Sequence, residues 1–290
     1  MKTYQDIYPT DPLLKSSNLN RFTVSELLNF EYFEADPGEM PTQVFDQHHV
    51  LVNLNETSHR VENWRNGQHR DFIYHQNDVI VTPAGLESGW RWHAASKVVV
   101  VTLEPKKFES FALHEVGVVL SKNQVRDIPK FNDENLTTAA RLALEALHNG
   151  NIGDDIVFES LARDFLIKLI QKYGDLAGSE AKFSKGFSSI QFKKVLDFIK
   201  QNYSQTFGLD ELAKEAGISR HHFSRLFKET TGRSPMQFVL EYRVQKAKLL
   251  LSKQNVTLSE IAAQCGFSDQ AHFSRAFKAE YGRPPKSFRK

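Results

Sequence analysis

Cysteine is almost missing from this chain: Cys265 is the one residue of its type in 290. An intramolecular disulfide framework is thereby excluded, and a reducing compartment, the cytoplasm, is the expected setting. Cys265 itself reads as a small buried apolar residue. Long apolar runs are missing as well. The longest, Val98 to Val101 with Leu103 nearby, is far shorter than the roughly 20 residues a membrane-crossing helix needs, so no membrane partner is expected. Met1 to Ser17 holds Lys2, Asp6, Asp11, Lys15 and two prolines but no apolar core, which excludes the pattern of a secretory signal. Net charge is nearly absent too, at +2. That balance hides a cancellation, because residues 188–290 carry 11 Lys and 7 Arg against 9 acidic residues, a net of +9, and leave −7 for the first 187. A basic end on an otherwise acidic chain points to a polyanionic partner for that end alone.

The basic end contains a duplication. His222-Phe223-Ser224-Arg225-Leu226-Phe227-Lys228 returns 50 positions later as His272-Phe273-Ser274-Arg275-Ala276-Phe277-Lys278. Leu212-Ala213 answers to Ile261-Ala262, Gly217 to Gly266 and Ser219 to Ser268 at an offset of 49, whereas Gly232 to Pro235 answers to Gly282 to Pro285 at 50. One residue is therefore inserted between Ser268 and His272. Each copy reads as a short helix, a glycine turn at positive φ, a serine N-cap and a second helix, which is helix-turn-helix order over 209–230 and 258–281. Phe223 and Phe227 at i,i+4 give the second helix its buried stripe and leave His221, Ser224, Arg225 and Lys228 on other faces. In the second copy Thr257 and Glu260 have capping-box spacing, Ser268 is expected to cap the second helix, and Gly282 to end it. Pro235 after Ser234 starts a connecting helix to about Leu251 with no internal Gly or Pro, whose Phe238, Tyr242, Leu249 and Leu250 are expected to pack both copies. Before the first copy, Gln191 to Tyr203 is a helix that turns Phe192, Val195, Ile199 and Tyr203 toward it.

This doubled pattern, from Ile218-Ser219 through Arg233-Ser234-Pro235 and from Gly266-Phe267-Ser268 through Gly282-Arg283-Pro284-Pro285, resembles the DNA-binding region of the AraC/XylS family of transcription regulators over residues 188–290. The resemblance implies binding without chemistry: no enzyme activity, no cofactor, double-stranded promoter DNA as partner, RNA polymerase as a second partner, and a homodimer as a possible assembly. By match to the family pattern, His221, Ser224 and Arg225 in the first recognition helix and Gln270, Ala271, Ser274 and Arg275 in the second are the expected base-facing residues. Lys228, Arg233, Lys278 and Arg283 are the expected phosphate contacts.

Toward the N-terminus the period changes from that of helices to that of strands. Gln43 to Leu54, Asp78 to Thr82, Trp90 to His93 and Lys97 to Leu103 are β-rich, and Asn66-Gly67 between two such runs has the signature of a type I′ hairpin. Many short antiparallel strands suggest a jelly roll, and Asn77-Asp78-Val79-Ile80-Val81-Thr82-Pro83-Ala84-Gly85 resembles the turn-strand-turn of a cupin barrel. In the resembling regulators such a barrel holds a small-molecule effector. His49, Trp64, Trp90 and Trp92 are the candidate pocket residues, although the tryptophans equally suit barrel filling. A metal-dependent cupin enzyme is an alternative, as is an effector-independent DNA-binding regulator. Against metal, adjacent His48 and His49 must point to opposite faces of a strand and Glu87 stands where a third histidine belongs, so no metal ligands are assigned.

From Asn132 to Tyr173 the pattern is helical again. One helix opens at Asp133-Glu134 and stops at Asn149-Gly150, and a second runs from Asp154 or Asp155 to Tyr173, forming a hairpin that docks on the barrel or pairs with a second copy. The expected fold class is α+β in two domains: an arm, 1–21; a cupin-like effector-sensing β-barrel (jelly roll), 22–112; a helical hairpin, 113–173; a Gly/Ser-containing linker, 174–187; and an all-α domain with two helix-turn-helix units, 188–290.

Overall fold

Residues 18–22, 27–149, 153–176, 187–251 and 256–289 are described by a computed structural model, in which the chain forms two units, 1–177 and 178–290. Alternation of side chains organises the first. Its strands are β1 (Asn18–Phe22), β2 (Asn29–Ala35), β3 (Gly38–Val44), β4 (His48–Asn53), β5 (His59–Arg65), β6 (Gln68–Tyr74), β7 (Asp78–Thr82), β8 (Glu87–Trp92) and β9 (Ser96–Leu103). After a short helix α1 (Pro105–Phe111) come β10 (Leu120–Val125) and β11 (Ile128–Asn132). A six-stranded sheet has the order β1-β2-β9-β4-β7-β11, and a four-stranded sheet the order β3-β8-β5-β6. Along β9, Val99, Val101 and Leu103 face one core while Val98 and Val100 face another. The six-stranded sheet is thus apolar on both sides.

One of those sides is covered by the helical hairpin, α2 (Glu134–Asn149) and α3 (Asp154–Tyr173). Phe30 of the sheet and Phe158 of α3, both fully buried, meet edge to face at 5.6 Å. Burying a phenylalanine of this kind contributes about 1.5–3 kcal/mol. Asp133 caps α2 by accepting from the Leu136 amide at 3.1 Å, and its other oxygen accepts from Tyr173 Oη and Lys172 Nζ at the end of α3. The hairpin is therefore closed at its base by one carboxylate. The opposite side of the sheet faces the four-stranded sheet, and the two share the core of Phe33, Leu51, Ile80 and Val100 with Met40, Val61 and Trp90.

Two expectations are corrected here. Strands continue past 112, because β11 pairs with β7 and completes the six-stranded sheet, so the helical hairpin begins only at Glu134. Gly174–Leu176 forms a short strand, β12, paired with β10 in a two-stranded sheet and not part of a linker; the rest of the expected linker to 186, and residues 1–17 of the expected arm, lie outside the described residues. Asn66 and Gly67 do turn the β5-β6 hairpin at φ +52° and +73°.

The second unit contains α4 (Ser189–Asn202), α5 (Leu209–Ala216), α6 (Arg220–Thr231), α7 (Pro235–Leu251), α8 (Leu258–Gln264) and α9 (Gln270–Tyr281). Capping boxes open α4 at Ser188 and Gln191 and α8 at Thr257 and Glu260, and Ser234 with Gln237 does the same for α7. Phe187, Phe192, Phe223, Phe227 and Phe238 form a chain of aromatic contacts that is the core of the first copy. On α7, Phe238 and Tyr242 are buried as expected, but Leu249 is 55% exposed. Val244, Ala247 and Leu251 pack into the second copy, with Leu250 partly buried against them as expected, since a helix turns about 100° per residue and the i, i+3, i+7 stripe stays on that side while Leu249 is turned away.

Candidate functional site

In the first copy α5 ends at Gly217, with φ +68°, and α6 follows Ser219. Burial of Phe223, Leu226 and Phe227 leaves α6 a single outward stripe. His221, Arg225 and Lys228 are exposed there and Ser224 is half-buried, spaced i, i+4, i+7 and i+3. Phe273 and Phe277 set α9 the same way, so that Gln270, Ala271, Arg275 and Lys278 are exposed with Ser274 half-buried. The structure thus gathers each expected set of base-facing residues on one helix face. The N-cap of α9 is a correction. Asp269, one position past the expected Ser268, accepts from the His272 amide at 2.7 Å, while the Ser268 hydroxyl turns to Asp269 and the His272 ring. That amide hydrogen bond holds the Asp269 carboxyl below the usual range, where its charge complements the helix dipole.

The arginines differ between copies. Arg225 is clamped to Glu229 one turn on at 2.9 Å, both side chains half-exposed, an i,i+4 pair worth a few tenths of a kcal/mol and readily exchanged for another acceptor. The matching position is Ala279, so Arg275 is spared that clamp. Arg233 pairs with Glu241 of α7 at 2.8 Å, tying the end of α6 to the connecting helix, whereas Lys228, Lys278 and Arg283 are exposed.

Sequence reasoning missed the junction between the copies. Arg243, in the middle of α7, is buried and donates through Nε to the Tyr203 carbonyl at 2.8 Å and through a terminal nitrogen to the Gln205 carbonyl at 2.7 Å. Gly266, in the α8-α9 turn at φ +75°, lies against the same carbonyl: a Cβ there would stand 2.4 Å from Tyr203 O. The end of α4, the centre of α7 and the turn of the second copy therefore meet at one point. Cys265 beside it is fully buried, and burial pushes its thiol up to about 11. An arginine in mid-helix carries no sequence signal that it is buried.

The N-terminal unit holds an apolar cleft between its two sheets, with about 520 Å³ of space when the open solvent at its mouth is included, lined by residues that include Phe33, Met40, Tyr74, Ile80, Trp90 and Trp92. Of the four expected pocket residues, Trp90 and Trp92 line it. Trp64 and His49 do not. Trp64 has the opposite parity on β5 to Val61, which lines the cleft, and packs outside between His69 and Arg91 at 4.8 and 5.2 Å. His49 points inward but lies beyond Leu51, fully buried against Phe45 at 5.1 Å, and burial together with the Arg65 charge lowers its pKa to about 3. His48 turns to the other face, where it accepts from the Ala84 amide and contacts Gln124. Phe33, Met40 and Tyr74 went unnoticed because each lies on a different strand.

Two helix–glycine turn–helix pairs with matched exposed faces, in a basic unit, define a helix-turn-helix module. Residues 212–290 match the profile of the family described as Helix-turn-helix domain, and this part of the chain is an AraC-type DNA-binding domain. The chain is similar to the Msm operon regulatory protein of Streptococcus mutans, at 25% identity over 69% of this chain and 66% of that protein. It is 28% identical to the HTH-type transcriptional activator RhaS of Yersinia pestis over 48% of each chain. Among solved structures, a transcriptional regulator with an AraC-type DNA-binding domain from Chromobacterium violaceum is 28% identical, covering 39% of this chain and 93% of that one, with a TM-score of 0.33. The matched span is two thirds or less of the length of these two curated relatives.

Proposed function

We propose that the chain is a sequence-specific DNA-binding transcription regulator of AraC type, controlled by a small molecule bound between the sheets of its N-terminal unit. The observation that carries this reading is the matched pair of outward stripes, His221, Ser224, Arg225 and Lys228 on α6 and Gln270, Ala271, Ser274, Arg275 and Lys278 on α9. Both helices would lie in the major groove, α6 and α9 serving two helix-turn-helix units, with Lys228, Lys278 and Arg283 on phosphates. Arg233 would reach a phosphate by exchanging Glu241 for it. The N-terminal unit would be a cupin-like jelly roll, its cleft the effector site. RNA polymerase is the downstream partner this class implies, and the exposed Leu142, Ile156 and Val157 on the hairpin support pairing with a second copy. No helix among the described residues is long and apolar enough to cross a membrane.

The test starts from duplexes selected by the full chain from a random pool. Arg225→Ala and Arg275→Ala are each expected to weaken binding to the selected site by about 1–3 kcal/mol and binding to random DNA far less. Equal losses on both would assign the arginines to phosphate contacts or packing. A fragment of residues 184–290, with its own core and a net charge of +10, is expected to fold and bind the same site with a steep salt dependence, because each neutralised phosphate releases a counterion. Titration of that fragment at several salt concentrations checks this, and a flat response would contradict the assignment of the basic face.

A further inference from the structure

The cleft between the sheets is apolar except for a few polar groups, and two of these are left over. Trp90 Nε1 and Tyr74 Oη are both buried and have no hydrogen-bond partner among the described residues. Trp92, on the same strand as Trp90, is by contrast satisfied, donating to the Asp36 carbonyl at 2.6 Å. A buried donor without an acceptor is destabilising and is kept where something else needs it.

We propose that the cleft takes an uncharged, mainly apolar small molecule carrying one hydrogen-bond-accepting oxygen, such as an aryl ketone, phenol or amide, packed among Phe33, Trp90 and Trp92 with that oxygen at Trp90 Nε1 and Tyr74 Oη. This rests on the effector reading above and adds the chemical class. Each exclusion has a physical cause. The indole N–H can only donate, so the ligand must offer an acceptor, which an ammonium group does not. A carboxylate or phosphate would accept, but among the described residues no Lys, Arg or His lines the cleft, and the nearby Asp78 charge opposes an anion; burial, aided by that charge, raises the Tyr74 hydroxyl well above its ordinary pKa. Tyr74 is therefore a neutral phenol that both donates and accepts. A free sugar brings several hydroxyls, and among the described residues the lining offers, apart from Tyr74 and Trp90, only Ser96 and the already bonded Trp92 as polar side chains, so most would be desolvated without partners.

The experiment uses the full chain and four matched compound sets: neutral aryl ketones, phenols and amides; the corresponding benzoates; benzylammonium ions; and free aldoses. Binding is read by tryptophan fluorescence, all three tryptophans lying in the N-terminal unit, and by melting temperature, while affinity for the selected DNA is measured in parallel. Members of the neutral set are expected to bind at least tenfold more tightly than their charged counterparts. Trp90→Phe and Tyr74→Phe are each expected to weaken that binding about three- to tenfold. Ligand-free Tyr74→Phe is expected to melt no lower than the parent, since it loses an unpartnered hydroxyl; a group that merely supported the fold would not separate the two readouts. Preference for the ions or the aldoses, no binding within the neutral set, or binding indifferent to both variants overturns the proposal. If aldoses or ions alter DNA affinity, effector control stands and this ligand class falls. If neutral compounds bind and DNA affinity stays constant, the ligand class stands and effector control falls.

Discussion

Gly266→Ala is expected to destabilise the C-terminal unit by about 2–5 kcal/mol, while the same change at its counterpart Gly217 is expected to be destabilising by only about 1–2 kcal/mol. Both glycines hold a left-handed backbone, with φ +75° and +68°, so both substitutions suffer the steric penalty of an L-residue there. The difference lies in what surrounds them. A Cβ at Gly217 meets nothing within 4 Å, whereas at Gly266 it stands 2.4 Å from the Tyr203 carbonyl and 3.0 Å from Arg243 Nε. Neither neighbour can withdraw easily: the first is backbone, and the second is held by the hydrogen bond it donates to that carbonyl. Relief of the clash requires the second copy to move away from the end of α4. Gly266→Ala should therefore lose DNA affinity as well as stability. Arg243→Met should act similarly, by leaving the Tyr203 and Gln205 carbonyls without their buried donor. Denaturant melts of the three variants, followed by the helical circular dichroism signal, check the ordering. Equal destabilisation by Gly266→Ala and Gly217→Ala would show that the junction is not tight.

Insertion of about five base pairs between the two halves of the selected site is expected to lower affinity toward that of a single half, a loss on the order of a hundredfold or more. The reason is the connecting helix. α7 has 17 residues, about 26 Å at 1.5 Å per residue, and the width of a helix at each end allows α6 and α9 a separation of about 34 Å, one turn of B-DNA. With no internal Gly or Pro to bend at, and with Arg243 pinning its centre to the end of α4, the spacing is held. Each chain should then read an asymmetric site of two boxes centred about 10 base pairs apart, and an insertion of about half a turn rotates one box to the opposite face of the duplex. DNA bending could recover part of the loss at an energetic penalty of its own. Gel-shift titration of the parent and inserted sites, once each box has been shown to matter, measures the drop. Unchanged affinity would mean that one copy alone reads DNA and the other serves as its packing partner.

The C-terminal unit was legible because its information is local. Phe223 and Phe227 bury one side of a helix by i,i+4 spacing, and that alone sends His221 and Arg225 outward; Gly232 and Gly282 end their helices as αL caps for a reason contained in a few residues. Even the error over Ser268 was local. The duplication aligned Ser268 with Ser219, but with one extra residue before His272 the helix begins one position later, and Asp269 stands at its N-cap.

The sequence by itself determined the helix-turn-helix order, the outward stripes, the charge division, the length of the connecting helix and the hairpin at Asn66-Gly67, all of which follow from contacts within a turn or two of the chain. Only the tertiary structure decided that Arg243 is buried at the junction, that Gly266 has no room where Gly217 has plenty, that β11 closes the larger sheet, and that Trp64 lies outside the cleft while Phe33 and Tyr74 lie within it. Those outcomes depend on strand pairing and on register, where a shift of one residue sends every side chain to the opposite face. Parity within one strand can be counted from the sequence; which strands come to share a core is fixed by pairings between distant segments, and those carry no local mark.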